Sequence, residues 1–189
     1  MQHLRFDIDH LKLANHHPRV NILNPGPGVG GHCIAVDPWF IVSESPKEAR
    51  LIRTARVVND SKPQWVIQKV DKAIEKLTAN GLDPAEIKIA CLGLAFKADI
   101  DDLRESPALQ ITKSINQKYH GQVVAVEPNL YLKSLEASNP ELTFTNYDTA
   151  IAQSNILLLL TDHSQFKKEP PSHRLDQIFI DTRGVWISH

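Results

Sequence analysis

Cys33 closes the stretch Pro25-Gly-Pro-Gly-Val-Gly-Gly-His32 and opens the run Ile-Ala-Val-Asp37-Pro38, so a lone thiol stands after a glycine-dense segment with a carboxylate four positions on. Glycines let a backbone approach a ligand and offer it N–H groups, while prolines stiffen the flanks and present the thiol in one place. A thiol presented this way acts as the thiolate, a nucleophile toward carbonyl carbon. Asp37 then orients or deprotonates a water or a neighbouring lysine, although an Asp before Pro38 also suits a plain turn. The backbone from Gly28 through Gly30 to Gly31 is placed to contact a sugar-like or phosphorylated ligand and to steady an oxyanion on the adduct.

Two other chemistries fit these residue types less well. Gly26, Gly28 and Gly31 satisfy the dinucleotide spacing G-x-G-x-x-G, but that fingerprint needs a strand before it and a helix opening inside it. Asp37-Pro38 argues against a helix there, so the segment is expected to be a loop. His16, His17, His32 and Cys33 invite a metal, yet no H-x-x-x-H or C-x-x-C spacing supports one, and no metal is expected. Cys91, between Ala90 and Leu92 in an apolar run, reads as a buried strand residue without a catalytic role.

The elements that must position Cys33 follow from periodicity. The chain up to about Leu13 has helical spacing, broken by His16-His17-Pro18. From Glu48, apolar residues recur at Leu51, Ile52, Ala55, Val58, Val66, Ile67, Val70, Ile74 and Leu77, with Pro63 marking a kink or a second start and Gly81 a C-terminal cap. That stripe is longer than one small sheet can cover, so a homodimer built on Glu48 to Leu77 is expected.

Beyond Gly81, continuous apolar runs alternate with helical stretches: Lys88–Gly93, Gln122–Val126, Thr143–Thr145, Ile156–Leu160 and Ile178–Ile180, with helices over Pro107–Lys118 and Asp148–Gln153. This pattern calls for a five-stranded, doubly wound parallel sheet with its ligand at the carboxyl ends of the strands. Phe96 and Lys97 follow the first strand and Arg183 the last. A base could stack on Phe96 or pack beside it while the two cations neutralise a diphosphate, although a lone Lys or Arg at a strand end is ordinarily a solvated surface charge. The organisation expected is a cysteine loop and the end of a helical region over 1–45, a helical connector over 46–82, and an α/β domain over 86–189.

Composition limits the partners. The 189 residues carry 21 Lys and Arg against 22 Asp and Glu, a net charge of −1, and the cations are scattered, which disfavours nucleic acid. No apolar run approaches a membrane span, the N-terminal residues lack the apolar core of a signal peptide, and the 2 cysteines imply no disulfide framework. A soluble cytoplasmic protein is expected.

The stretch around Cys33, together with Gly93-Leu-Ala-Phe-Lys-Ala-Asp-Ile-Asp-Asp-Leu-Arg-Glu-Ser-Pro107, resembles the nucleotide-sugar 6-dehydrogenases of the UDP-glucose/GDP-mannose dehydrogenase family, and only their second half. The resemblance implies a UDP-sugar substrate and NAD as cofactor, with the primary alcohol oxidised to a carboxylate by two successive hydride transfers. Cys33 would hold the intermediate aldehyde as a thiohemiacetal and then as a thioester. It also implies that Arg104, in the Arg-Glu-Ser motif, lies near the dinucleotide, and that His17 and Arg19 reach substrate, in some members across a dimer interface. The family's catalytic lysine and asparagine and its NAD-binding half would precede Met1. The chain then reads as part of a dehydrogenase needing that half from elsewhere, or as a UDP-sugar-binding module without turnover; a cysteine hydrolase is disfavoured because no base other than adjacent His32 is placed.

Overall fold

The computed structural model describes residues 13–19, 22, 24–29, 32–172 and 174–186. Gly30, Gly31 and the helix expected before Leu13 lie outside these residues, apart from its last position. Three helices come first: α1 over His32–Glu44, α2 over Arg50–Asp60 and α3 over Lys62–Ala79. Pro63 stands in the first turn of α3, where its missing N–H costs nothing, and Gly81 closes that helix at φ +98°.

The cysteine segment departs from expectation. Cys33 and Asp37 lie on helix α1, which carries Pro38 in its interior, not on a loop. Proline in a helix leaves the carbonyl four residues back without its donor, here that of Ile34. Arg56 of α2 supplies the replacement, its Nη1 donating to the Ile34 carbonyl oxygen at 3.2 Å. The local signal against a helix is thus overruled by a cation from the next one.

The remaining elements alternate: β1 Ile89–Leu92, α4 Pro107–Lys118, β2 Val123–Val126, α5 Leu132–Ser138, α6 Tyr147–Gln153, β3 Ile156–Leu159, α7 Ser164–Lys168 and β4 Ile178–Asp181. Ser106 caps α4, its Oγ accepting from the Leu109 N–H at 3.3 Å, and Pro107 takes the first helical position. The strands run parallel in the order β2-β1-β3-β4, with Ile89 opposite both Val123 and Ile156, and Ile156 opposite Ile178. Four strands replace the five expected. Thr143–Thr145 does reach the β2 edge, but only as a single parallel bridge between Ala125 and Phe144. Leu142 N–H closes a turn on Asn139 just before it, and Asn146 caps α6 just after, so the ladder has no room to lengthen.

From β1 the chain winds outward through β2 to this bridge, then returns to β3 on the other side. The order therefore reverses between β1 and β3, the position where doubly wound sheets open a crevice at their carboxyl ends. Every residue of β1 and β3 is buried, as a sheet covered on both faces requires. Val66, Val70, Ala73 and Leu77 of α3 join Ala108, Ile111 and Ile115 of α4 on one face, where Cys91 also packs. Tyr147, Ala150 and Phe166 cover the other, against Ala90, Leu92, Leu157 and Leu159.

The apolar stripe expected from Glu48 to Leu77 divides accordingly. Its α3 portion packs on the sheet, whereas Leu51, Val57 and Val58 of α2 stay exposed, as do Phe40 and Ile41 of α1. Among the described residues no helix is long and apolar enough to cross a membrane.

Candidate functional site

Phe96 and Lys97 leave the end of β1, Arg183 follows β4, and Asp162 follows β3, so sheet topology alone brings them to one rim. The glycine stretch comes down on that rim. Together with Asn24, Gly28, Val29 and Ile34, these residues line an open cleft of about 460 Å³. Of the residues read from sequence as ligand-binding, the structure unites Gly28, Phe96, Lys97 and Arg183.

The fit between stretch and sheet is specific. Gly28 adopts φ +139°, a conformation side chains resist, and a Cβ there would lie 3.3 Å from Pro107 Cβ at the start of α4. Gly26 sits against the Arg183 guanidinium, so a side chain there would displace that group. Asn59 of α2 clamps the next turn: its Oδ1 accepts from the Val29 N–H at 2.7 Å and its Nδ2 donates to the Val29 carbonyl at 3.1 Å.

The cleft is positively charged. Asp162 accepts from Arg183 Nε at 2.9 Å and pairs with Lys167 Nζ at 2.6 Å, while Lys97 is exposed and has no ion pair among the described residues. Burial pushes the Asp162 carboxyl upward, but the Lys167 hydrogen bond and the Arg183 charge outweigh it and hold the group below the ordinary carboxylate value. Among the residues lining the cleft, the two cations Lys97 and Arg183 stand against one carboxylate, Asp162, an excess of positive charge that favours an anionic ligand. Phe96 is half-buried at the same rim.

The other expected site residues lie apart from that cleft. Cys33 and Asp37 are exposed and one helical turn apart on α1, hence on one face of it, and Ile34 beside Cys33 lines the cleft. His17 and Arg19 are exposed, with His17 Nδ1 accepting from the Arg19 N–H at 3.2 Å. Arg104 is bound bidentately by Asp102, at 2.9 and 2.7 Å, on a separate cavity of about 410 Å³ shared with Asp101 and Leu130. Burial pushes the Cys91 thiol up to about 12, in keeping with a packing role.

Four residues escaped the sequence reading: Asn59, Asp162, and the buried pair Glu127 and His163 beneath the Phe96 segment. Glu127 directly follows β2, while Asp162 and His163 come three and four residues after the end of β3. The rule that singled out Lys97 and Arg183, polar residues just past a strand's carboxyl end, would have found all three. Asn59 carries no such mark.

Comparison with known proteins shows which family the chain resembles in sequence and fold. Residues 90–188 match the model of the UDP-glucose/GDP-mannose dehydrogenase family, UDP binding domain, and residues 1–61 match that family's central domain. The chain is 52% identical over 178 residues to the UDP-N-acetyl-D-mannosamine dehydrogenase of Salmonella typhi, covering 93% of this chain and 42% of that protein. It is 50% identical over 176 residues to the NDP-N-acetyl-D-galactosaminuronic acid dehydrogenase of Ralstonia nicotianae, with 93% and 40% covered. The structure of UDP-D-ManNAc dehydrogenase from Pyrococcus horikoshii superposes with a TM-score of 0.73 at 33% identity, over 94% of this chain and 40% of that one. The chain thus spans about two fifths of the length of these relatives.

Proposed function

The chain belongs to the UDP-glucose/GDP-mannose dehydrogenase family, and from that premise we propose that it is the cysteine-bearing, UDP-sugar-binding portion of an NAD-dependent nucleotide-sugar 6-dehydrogenase acting on UDP-N-acetyl-D-mannosamine. The observation that carries the proposal is the cleft at the reversal between β1 and β3, where Phe96, Lys97, Arg183 and Gly28 converge. In this reading Phe96 packs on the uracil, Lys97 and Arg183 neutralise the diphosphate, and the sugar extends past Ile34 toward α1. The identity with mannosamine and galactosaminuronate dehydrogenases supports an N-acetylated sugar.

Cys33 lies in the first turn of α1, where backbone N–H groups have no intrahelical partner and stand ready for a developing oxyanion. Its role is to add to a sugar aldehyde, forming a C–S bond that keeps the aldehyde from escaping, and later to leave when water attacks the acyl carbon. Asp37, one turn on, orients that water. His17, Arg19, Gly30 and Gly31 are proposed to contact the sugar and phosphates.

NAD, when bound to a complete enzyme, takes up the hydrides of both oxidations. The described residues do not form the whole of its site: no strand among them leads into Gly26-x-Gly28. We place the dinucleotide site in a segment outside this chain, with Arg104 as its one contact here, and the protein in the cytoplasm as a homodimer joined through the exposed faces of α1 and α2. The same observation favours a second reading for the chain alone, a UDP-sugar-binding module without turnover.

Supplying the amino-terminal part of a relative tests the proposal. The combined protein should reduce NAD with UDP-N-acetylmannosamine, and Cys33→Ser should stop at the aldehyde level, because an alcohol is a much weaker nucleophile near neutral pH. Unimpaired carboxylate formation by the Cys33→Ser form would refute it.

A further inference from the structure

The segment that presents Phe96 and Lys97 is held from beneath by two buried ionisable side chains with no part in the chemistry above. Glu127 has no exposed side-chain surface; its Oε2 accepts from the N–H groups of Leu94 at 2.7 Å and Ala95 at 3.1 Å, and its Oε1 from that of Asn129 at 3.1 Å. His163, also fully buried, places Nε2 at 3.2 Å from Glu127 Oε2 and accepts at Nδ1 from the Asp99 N–H at 3.0 Å. A backbone N–H can only donate, so Nδ1 is the acceptor, the ring proton sits on Nε2, and Nε2 donates to Glu127. Asn129 Nδ2, 2.8 Å from Nδ1, donates to it as well.

The far end of the segment is fixed by Asp99, which adopts φ +59°, a left-handed conformation uncommon outside glycine. Its carboxylate accepts from the Ser164 N–H at 2.8 Å and from Ser164 Oγ at 2.6 Å, tying it to the start of α7. Thr161 Oγ1 donates to the Ala95 carbonyl at 2.7 Å and Ser106 Oγ to that of Leu94 at 2.6 Å. The backbone is therefore pinned at 94, 95 and 99, and Phe96 and Lys97 occupy the span between the pins. A buried carboxylate costs heavily unless its partners are well placed. An apolar residue at 127 would instead leave three backbone N–H groups without acceptors, and one at 163 would leave that of Asp99.

We propose that Glu127 and His163 are positioning residues for nucleotide binding, fixing the shape of residues 94–99 so that Phe96 and Lys97 face the cleft before the ligand arrives. This rests on the reading of that cleft as the nucleotide site. Preorganisation spares the ligand the entropy of ordering the segment, and that saving is what removal of the pins forfeits.

Calorimetric titration of the full 189-residue chain with UDP tests it. His163→Ala, still folded by circular dichroism, should bind about tenfold more weakly, the scale of one lost charge-assisted contact. His163→Asn, which keeps an acceptor where Nδ1 stands, should recover most of that loss. In a Lys97→Ala background, His163→Ala should cause little further weakening, since the contact it serves is already gone. Wild-type binding by folded His163→Ala, or equal losses in both backgrounds, would overturn the proposal. Should His163→Ala fail to fold, Glu127→Gln carries the same comparison: weakening seen with Lys97 intact and absent with Lys97→Ala supports the proposal, and unchanged affinity or equal losses overturn it. If instead Lys97→Ala and Arg183→Ala bind UDP as the unaltered chain does, or that chain does not bind UDP, the nucleotide reading fails and the positioning role with it. Losses in those two variants alone, with His163 and Glu127 variants unaffected, remove only the positioning role.

Discussion

Gly93 and Thr161 touch across the point where the strand order reverses: a Cβ on Gly93 would lie 2.6 Å from Thr161 Cβ and 2.7 Å from its carbonyl oxygen. The end of β1 and the end of β3 approach this closely only because one of them has no side chain. Gly93 also holds φ +81°, which any other residue resists. From that contact one segment runs on to Phe96 and Lys97 and the other to Asp162, and all three residues line the cleft.

Gly93→Ala is accordingly expected to destabilise the fold by about 2 kcal/mol or more, since steric overlap and backbone strain act together. Urea denaturation measures it. A loss no larger than that of Gly121→Ala, whose added Cβ meets nothing within 4 Å at a comparably positive φ, would show that the close approach does not matter.

Arg56 is the donor that makes a proline-containing α1 tenable. Arg56→Ala should cost about 1–3 kcal/mol by leaving the Ile34 carbonyl unpaired, and Pro38→Ala, which restores a helical N–H to that carbonyl, should return part of the loss. Thermal unfolding of the two single variants and the double variant reads the coupling; purely additive effects would contradict it.

The strand runs, the capped start of α4 at Ser106-Pro107 and the close of α3 at Gly81 were legible because each rests on chemistry within a few residues. Helix α1 was not, because the donor that offsets Pro38 comes from Arg56 on another helix. The fifth strand shrank to a bridge because turns at Asn139 and Asn146 bound it. Lys97 and Arg183 were found by their place after strands, and Asp162, Glu127 and His163 stand in equivalent places; what hid them was the ordinary look of a lone acid or histidine in a loop. Cys33 was legible as a thiol in an unusual setting, and it is exposed on α1.

The two cysteines should respond differently to modification. Cys33 is exposed and should react with a maleimide in the native protein, whereas Cys91, buried and with its thiol pushed up to about 12, should react only on unfolding. Cys91→Ala should cost about 1–2 kcal/mol through lost packing. Native labelling of Cys91, detected by mass spectrometry, would contradict the buried assignment.

Asp162 gives the acid limb of stability a local origin. Its folded value is held below the unfolded value of about 3.9, so its contribution is fully present above that pH and is lost as pH falls through the folded value. Asp162→Asn should therefore lower the melting temperature near neutral pH and flatten its decline below about pH 4. Parallel melting curves for the two proteins, offset but with the same acid slope, would contradict this.

The most direct measurement is calorimetric titration of the purified chain with UDP, repeated with Lys97→Ala. Saturable one-site binding is expected of the unaltered chain, weakened at least about tenfold in Lys97→Ala because a phosphate charge then goes uncompensated. UDP binding that is absent, or equally strong without Lys97, would contradict the assignment of the cleft between β1 and β3 as a nucleotide site.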